Sequence, residues 1–184
     1  LGINKDLRNA GNQYFLQSKW RDRNQGEAIT TLGPLAKRLK EDYPHLVTNY
    51  YRWDGITSVV SKGEKHLREG IQLGDSTLLA MYGFKLLYGD DRTAFNNPYS
   101  VVITKVIAEK YFGRADVVGE TLGIQNFAGS SKEFLITGVL DDFPENSVTN
   151  LNDANHNHVF IPTNAYSFFG RMDFDSWSNV ILPS

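Results

Sequence analysis

The spacing of apolar residues divides the chain into short alternating runs and a few helical stripes, most of them closed by glycine or proline. In residues 13–19, Tyr14 and Leu16 fall on one side and Phe15 on the other, which predicts a strand closed by Trp20 and followed by a polar connection over 21–27. Leu32, Leu35 and Leu39 then recur at helical spacing, with Pro34 in the first turn, where its missing N–H costs nothing. Lys37, Arg38 and Lys40 lie on the other side and near the C-terminal end, where the helix dipole favours cations, and Tyr43-Pro44 ends the helix. Residues 46–53 resume an extended, aromatic-rich strand. Residues 57–61 and 66–73 flank the polar, glycine-containing loop Lys62-Gly63-Glu64-Lys65 and predict a hairpin. Asp75 is the expected cap of a short helix stopped by Gly83, after which Phe84, Leu86 and Leu87 pack before a turn at Gly89-Asp90-Asp91.

Residues 100–103 predict a short buried strand, and Thr104 is a natural N-cap for a helix over 105–112. That helix carries Ile107, Ala108, Tyr111 and Phe112 as its apolar stripe and ends at Gly113. Residues 117–124 and 133–140 predict two strands around the loop 128–132. After a turn about Pro144 and an asparagine-rich tract over 149–157, residues 158–162 predict a strand, 164–169 a short helix capped by Thr163 and ended by Gly170, and 174–182 a final strand. Strands outnumber helices and the two are partly segregated, so an α+β fold is expected rather than a doubly wound sheet. No internal repeat is present.

Three stretches together resemble the MacB-like periplasmic core domain of FtsX-like ABC transporter permeases. One runs from Leu78 through Gly83-Phe84-Lys85-Leu86-Leu87-Tyr88-Gly89-Asp90. The second joins Asn97-Pro98-Tyr99-Ser100-Val101-Val102-Ile103-Thr104 to Ala108, Tyr111-Phe112-Gly113 and Val118-Gly119. The third is Phe134-Leu135-Ile136-Thr137-Gly138-Val139 with Asp142, Pro144, Asn146 and Ser147, and Ile161-Pro162 and Trp177-Ser178-Asn179 follow in family order. The resemblance covers roughly residues 78–179, and the order of its elements is more specific than any one of them. It implies a porter-like strand–helix–strand part over 1–57 and 158–184, with a smaller α/β part over 58–157 inserted between its halves. It also implies transmembrane helices on either side of the domain, a further helix and strand after Ser184, a cytoplasmic ATPase partner, a second permease copy facing the first, and a periplasmic adaptor. The domain itself is then extracytoplasmic, binds no cofactor and couples ATP-driven membrane motion to something outside. Gly83, Gly89, Pro98, Thr104, Ala108, Phe112, Gly113, Gly119, Gly138, Asp142, Pro144, Asn146 and Ser147 are expected to be structural: glycines at turns and close approaches, Thr104 as a cap, the polar residues around Pro144 as ties for backbone groups.

Composition agrees with a packed domain and narrows its chemistry. Of 184 residues 41% are hydrophobic and 12% aromatic, enough for a sizeable core. Nineteen basic residues against 21 acidic ones leave a net charge of -2, which builds no field for nucleic acid. Without cysteine the chain has no disulfide, thiolate nucleophile or thiolate metal site. No apolar run approaches the roughly 18 residues of a membrane span. The chain starts at Leu1-Gly2 without an initiator methionine and stops inside an apolar pattern at Ile181-Leu182-Pro183-Ser184, as a piece of a longer protein would.

Against the coupling role stand a secreted carbohydrate- or peptide-binding module and a hydrolase. Trp20, Trp53 and Trp177 with Tyr50-Tyr51 would supply a stacking platform if Trp53 and Tyr50 faced solvent together. A hydrolase would need two acids converging in one pocket, with Asp90-Asp91 and Asp141-Asp142 as candidates, although adjacent acids point apart on a strand. Ser130-Ser131 after Gly129 lacks the second glycine of a nucleophile elbow. His156-Asn157-His158, with Asp153, places two imidazoles on one strand face but short of a closed metal site, with His45 and His66 in other segments. The basic hairpin over 62–68 would suit a partner or lipid headgroups, or simply a solvated edge.

Overall fold

The computed structural model describes residues 10–19, 21, 30–141, 157–170, 173–178 and 180–181. Among them, nine strands and four α-helices form an α+β arrangement. A long hairpin pairs β2 (Trp53–Lys62) with β3 (Lys65–Gly74) across a two-residue loop, in which Gly63 takes a positive φ of 56°. α2 (Leu78–Tyr82), β4 (Leu86–Gly89), β5 (Ser100–Thr104), α3 (Lys105–Phe112), β6 (Thr121–Gln125), β7 (Ser131–Leu140) and β8 (Val159–Pro162) follow. The seven strands β2 to β8 share one sheet in the order β4-β7-β5-β8-β3-β2-β6.

This sheet closes on itself. β6 pairs with β2 through Val60↔Ile124 and with β7 from Thr121↔Leu135 to Gln125↔Ser131. Six strands thus form a ring, and β4 continues the β6 side of β7 along its last residues, from Gly138 to Leu140. The side chains alternate accordingly. Val101, Ile103, Val159, Ile161 and Phe134 join the α3 residues Ile107, Ala108 and Tyr111 in one core. Val102, Phe160 and Leu140 face the other way, onto Tyr51, Trp53 and the α2 residues Leu78, Leu79 and Tyr82.

A second sheet, of two strands, joins residues 31–32 to residues 180–181. β1 (Thr31–Leu32) pairs antiparallel with β9 (Val180–Ile181), and α1 (Leu35–Asp42) follows β1 directly. A 3₁₀ turn over Thr163–Ala165 leads from β8 into α4 (Tyr166–Phe169), whose left-handed Gly170 ends it. The position between residues 57 and 58 falls inside β2, and β8, just after position 158, lies between β3 and β5 in the large sheet.

Several local expectations are displaced by tertiary partners. Residues 13–19 form no strand: Phe15 packs on the second core and the Gln13 amide donates to Met81 O at 3.3 Å, but the backbone joins no ladder. Leu32 belongs to β1 and not to the helix, with Pro34 at the N-cap position. Residues 46–52 join no strand; Tyr43 O accepts from both Leu46 N and Val47 N and turns the chain over residues 44–46. The strand expected at 117 begins at Thr121, after a turn in which Glu120 N donates to Val117 O. The one expected from 174 is confined to β9, because Asp173 ties Asp175 N and Ser176 N into a turn. None of the three expected caps works through its side chain. The helix after Asp75 has Thr77 at its N-cap, and Thr104 holds the N-cap position of α3 but points its hydroxyl at His158 Nδ1, 3.2 Å away.

Candidate functional site

Arg52 is the polar centre of the molecule. It follows Tyr50-Tyr51 and precedes Trp53, so burial of these aromatics carries the guanidinium inward, and Arg52 is only 5% exposed. Nε and Nη2 donate to the two carboxylate oxygens of Asp75 at 2.8 and 2.9 Å, a bidentate pair. Nη1 donates to Gly33 O and Phe174 O, both at 3.0 Å, and to Asp175 Oδ1 at 2.9 Å. The rings of Tyr50 and Phe174 lie 5.2 and 5.7 Å from the guanidinium carbon. Two backbone bonds, Arg52 N to Asp75 Oδ2 and Asp75 N to Arg52 O, both at 2.9 Å, close the link to the end of β3.

One side chain therefore joins three places distant in sequence: the start of β2, the turn after β3, and the chain around β1 and β9. Gly33 is required there, since a Cβ at that position would stand 2.5 Å from Phe174 O. Lys37 of α1 adds a 2.6 Å bond to Asp175. Burial alone pulls the Arg52 pKa down, but the Asp75 hydrogen bonds and charge outweigh it and the net shift is upward. The Lys37 hydrogen bond, opposed by partial burial and assisted by Arg52, holds the Asp175 carboxyl below its ordinary value. Both acids are paired with cations, an arrangement that clamps these segments together.

A second ion pair, buried on its Glu69 side only, lies on the α3 side of the sheet. Glu69 Oε1 accepts from Lys110 Nζ at 2.6 Å and from the Tyr111 hydroxyl at 2.8 Å, while Lys65 Nζ donates to Lys110 O at 2.7 Å. Burial, then the Glu69 carboxylate, pushes the Tyr111 hydroxyl pKa up. This cluster pins α3 to the β2–β3 hairpin.

The residues singled out from the sequence do not converge. Trp53 is 3% exposed and belongs with Tyr51 to the second core, while Tyr50 packs by Arg52, so Trp53 and Tyr50 do not face solvent together as a stacking platform would need; Trp177 is 55% exposed. Trp20, Asp142, Pro144, Asn146, Ser147, Asp153 and His156 lie outside the described residues. Asp90 accepts from Arg92 N within its own turn. Ser130 and Ser131 close the β6–β7 connection, where Asn126 Oδ1 accepts from Ala128 N and Ser130 N. His158 meets Thr104, and among the described residues no three His, Asp or Glu side chains are grouped to hold a metal ion. The hairpin tip over 63–68 is exposed.

The signature positions are distributed along the sheet and its turns. Gly83 and Gly113 are left-handed C-caps of α2 and α3. Asn97-Pro98-Tyr99-Ser100 is a turn into β5, with Ser100 N donating to Asn97 O. Ala108 is buried against the sheet, Phe112 lies under Lys62 Nζ at 5.0 Å, and Gly119 N donates to Ile136 O. Gly89 combines φ +107° with a Cβ direction that would collide with Thr137 O, and Gly138 lies beside the Leu86 side chain. Sequence reasoning missed Arg52. Its one local signal was a charge set between Tyr51 and Trp53 in a run otherwise rich in aromatics.

Comparison with known proteins agrees with this architecture. The family described as "MacB-like periplasmic core domain" matches residues 2–182. Among solved structures, a domain of a protein provisionally named a permease, from Porphyromonas gingivalis, is 23% identical with a TM-score of 0.62, covering 84% of this chain and 62% of that one. This chain thus spans less than two thirds of that structure's length. The extracellular domain of the noncanonic ABC-type transporter YknZ from Gram-positive bacteria is 14% identical, TM-score 0.60, covering 91% and 80%. The periplasmic region of MacB from Actinobacillus actinomycetemcomitans is 12% identical, TM-score 0.58, covering 86% and 68%. At these identities the likeness concerns the fold. No curated protein matches the sequence.

Proposed function

Because the chain belongs to the MacB-like periplasmic core domain family, we propose that it is the extracytoplasmic domain of an FtsX-like ABC transporter permease and carries ATP-driven motion of membrane helices to a partner or substrate outside the membrane. In this reading it does no covalent chemistry. A cytoplasmic ATPase drives the membrane helices on either side of the domain, a second permease copy faces it, and a periplasmic adaptor is the natural recipient of the motion.

The observation that carries the proposal is the junction of β1 with β9. Thr31 pairs with Ile181 and Leu32 with Val180, so displacements arriving from the two sides meet in one small sheet. Arg52 then ties that region to the hairpin of the large sheet through Gly33, Phe174, Asp175 and Asp75. Rigid-body coupling needs such a packed junction. No helix among the described residues is long and apolar enough to cross a membrane, so in this reading the drive comes from outside them.

The test is made in the membrane, on the encompassing transporter reconstituted with its ATPase. Glu64, at the exposed hairpin tip, is replaced by cysteine and labelled with an impermeant spin label. The expected result is labelling from the extracytoplasmic side only, and a distance between the labels of two copies that changes between the nucleotide-free and ATP-bound states. Labelling from the cytoplasmic side, or an unchanged distance while ATP is hydrolysed, would overturn the proposal.

A further inference from the structure

A groove of about 320 Å³ lies between α1, α2, the loop 46–50 and the segment around Tyr14. That volume is at the lower end of the range of small-molecule sites. We propose that it binds a neutral, largely apolar small molecule carrying a hydrogen-bonding group.

The walls are held in place before any ligand arrives. Tyr43 O accepts from Leu46 N and Val47 N, Thr77 Oγ1 donates to Tyr50 O at 2.6 Å, and the Gln13 amide is tied to Met81 O. Ala36 and Leu39 of α1 and Ala80 and Met81 of α2 are among the apolar residues that line it. Tyr14 and Leu46, also lining residues, are 77% and 73% exposed, the two highest values among the exposed large hydrophobic side chains described. Two such side chains bordering one concavity are in surplus for a fold whose other large apolar groups are mostly buried, and covering them is a gain that a ligand with an apolar body supplies.

The chemistry of the lining defines the occupant. Among the described residues, no charged side chain lines the groove. A charged ligand would lose water with no opposite charge in the lining to receive it, which costs more than its apolar contacts return. Asn12 and Thr48 line the groove, and neither side chain has a hydrogen-bond partner among the described residues. An amide and a hydroxyl beside apolar walls match an amide, alcohol or amine N–H on an otherwise apolar molecule. The groove shares Tyr50 with the surroundings of the Arg52 clamp, but ligand binding there is read separately from coupling, and the inference stands or falls independently of that role.

The probe is N-phenyl-1-naphthylamine, a neutral molecule of two aromatic units with one N–H, whose fluorescence rises in apolar surroundings. Titration of the full chain should give a saturable, single-site increase, with amide shifts in heteronuclear NMR confined to residues such as Ala36, Val47 and Met81. Ala80→Trp fills the groove from an exposed helix position and should weaken binding at least tenfold, equivalent to about 1.4 kcal/mol. Leu46→Glu, on an exposed loop, is the second variant and should weaken it likewise by placing a charge at the mouth. A non-saturating signal, shifts centred on other residues, or unchanged affinity in a folded form of either variant would overturn the proposal.

Discussion

At the scale of single residues the structure depends on a buried charge. Arg52 uses Nε and both terminal nitrogens on protein acceptors, and its main partner Asp75 is itself largely enclosed. A buried ion pair compared with an apolar pair adds little stability, but breaking it from one side strands the other charge. Arg52→Met is therefore expected to lower stability by about 3–5 kcal/mol, seen as a lower urea midpoint. Asp75→Asn should have an effect of the same kind, and the double variant should lose clearly less than the sum. Additive losses would show that the two side chains act separately. The anomaly was visible in the sequence as an arginine between Tyr51 and Trp53. Its partners were not, because Asp75 and Asp175 lie 23 and 123 positions away and only folding brings them there.

At the scale of elements, turns were more legible than strands. Gly83, Gly113 and Gly170 end helices in the left-handed conformation that favours glycine, a local requirement that shows in the sequence. Strand character in 13–19 and 46–52 was contradicted because alternation records which side chains are apolar, not whether the backbone finds a partner. The caps failed for a related reason: Asp75 and Thr104 have stronger or better placed tertiary partners in Arg52 and His158. Gly89 shows how an element's end depends on its neighbour, since both its φ and the approach of Thr137 O exclude a side chain. Gly89→Ala is expected to cost about 1–3 kcal/mol, read as a fall in Tm. Gly129→Ala, also at positive φ (87°) but with open space around its Cβ direction, should cost less. Equal losses would mean that backbone conformation alone decides and that the contact with β7 is immaterial.

At the scale of the whole molecule, the small β1–β9 sheet joins the large one through polar contacts that respond to pH. The Asp175 carboxyl has a lowered pKa in the folded chain, chiefly through Lys37, against partial burial, and then through Arg52. Its contribution is present above the ordinary carboxylate range and is lost as pH falls through the lowered value. Hydrogen exchange should therefore show the amides of β1 and β9 opening more readily once pH drops below about 4. The central strands β5 and β8 should remain protected until global unfolding. Asp175→Asn should remove most of that pH dependence near β1 and β9. An unchanged acid response in this variant would assign the effect to other carboxylates.

The helices over 105–112 and around 35–42, the hairpin at Gly63 and the class of fold were determined by the sequence itself. They rest on local periodicity, glycine conformation and turn chemistry, which act within a few residues. Closure of the six-strand ring, the burial of Trp53 that removes the stacking platform, and the Arg52 clamp were decided only by the tertiary structure. Each depends on a residue's partner and not its type, and an aromatic or an arginine reads alike in sequence whether it ends in a core, a groove or an ion pair.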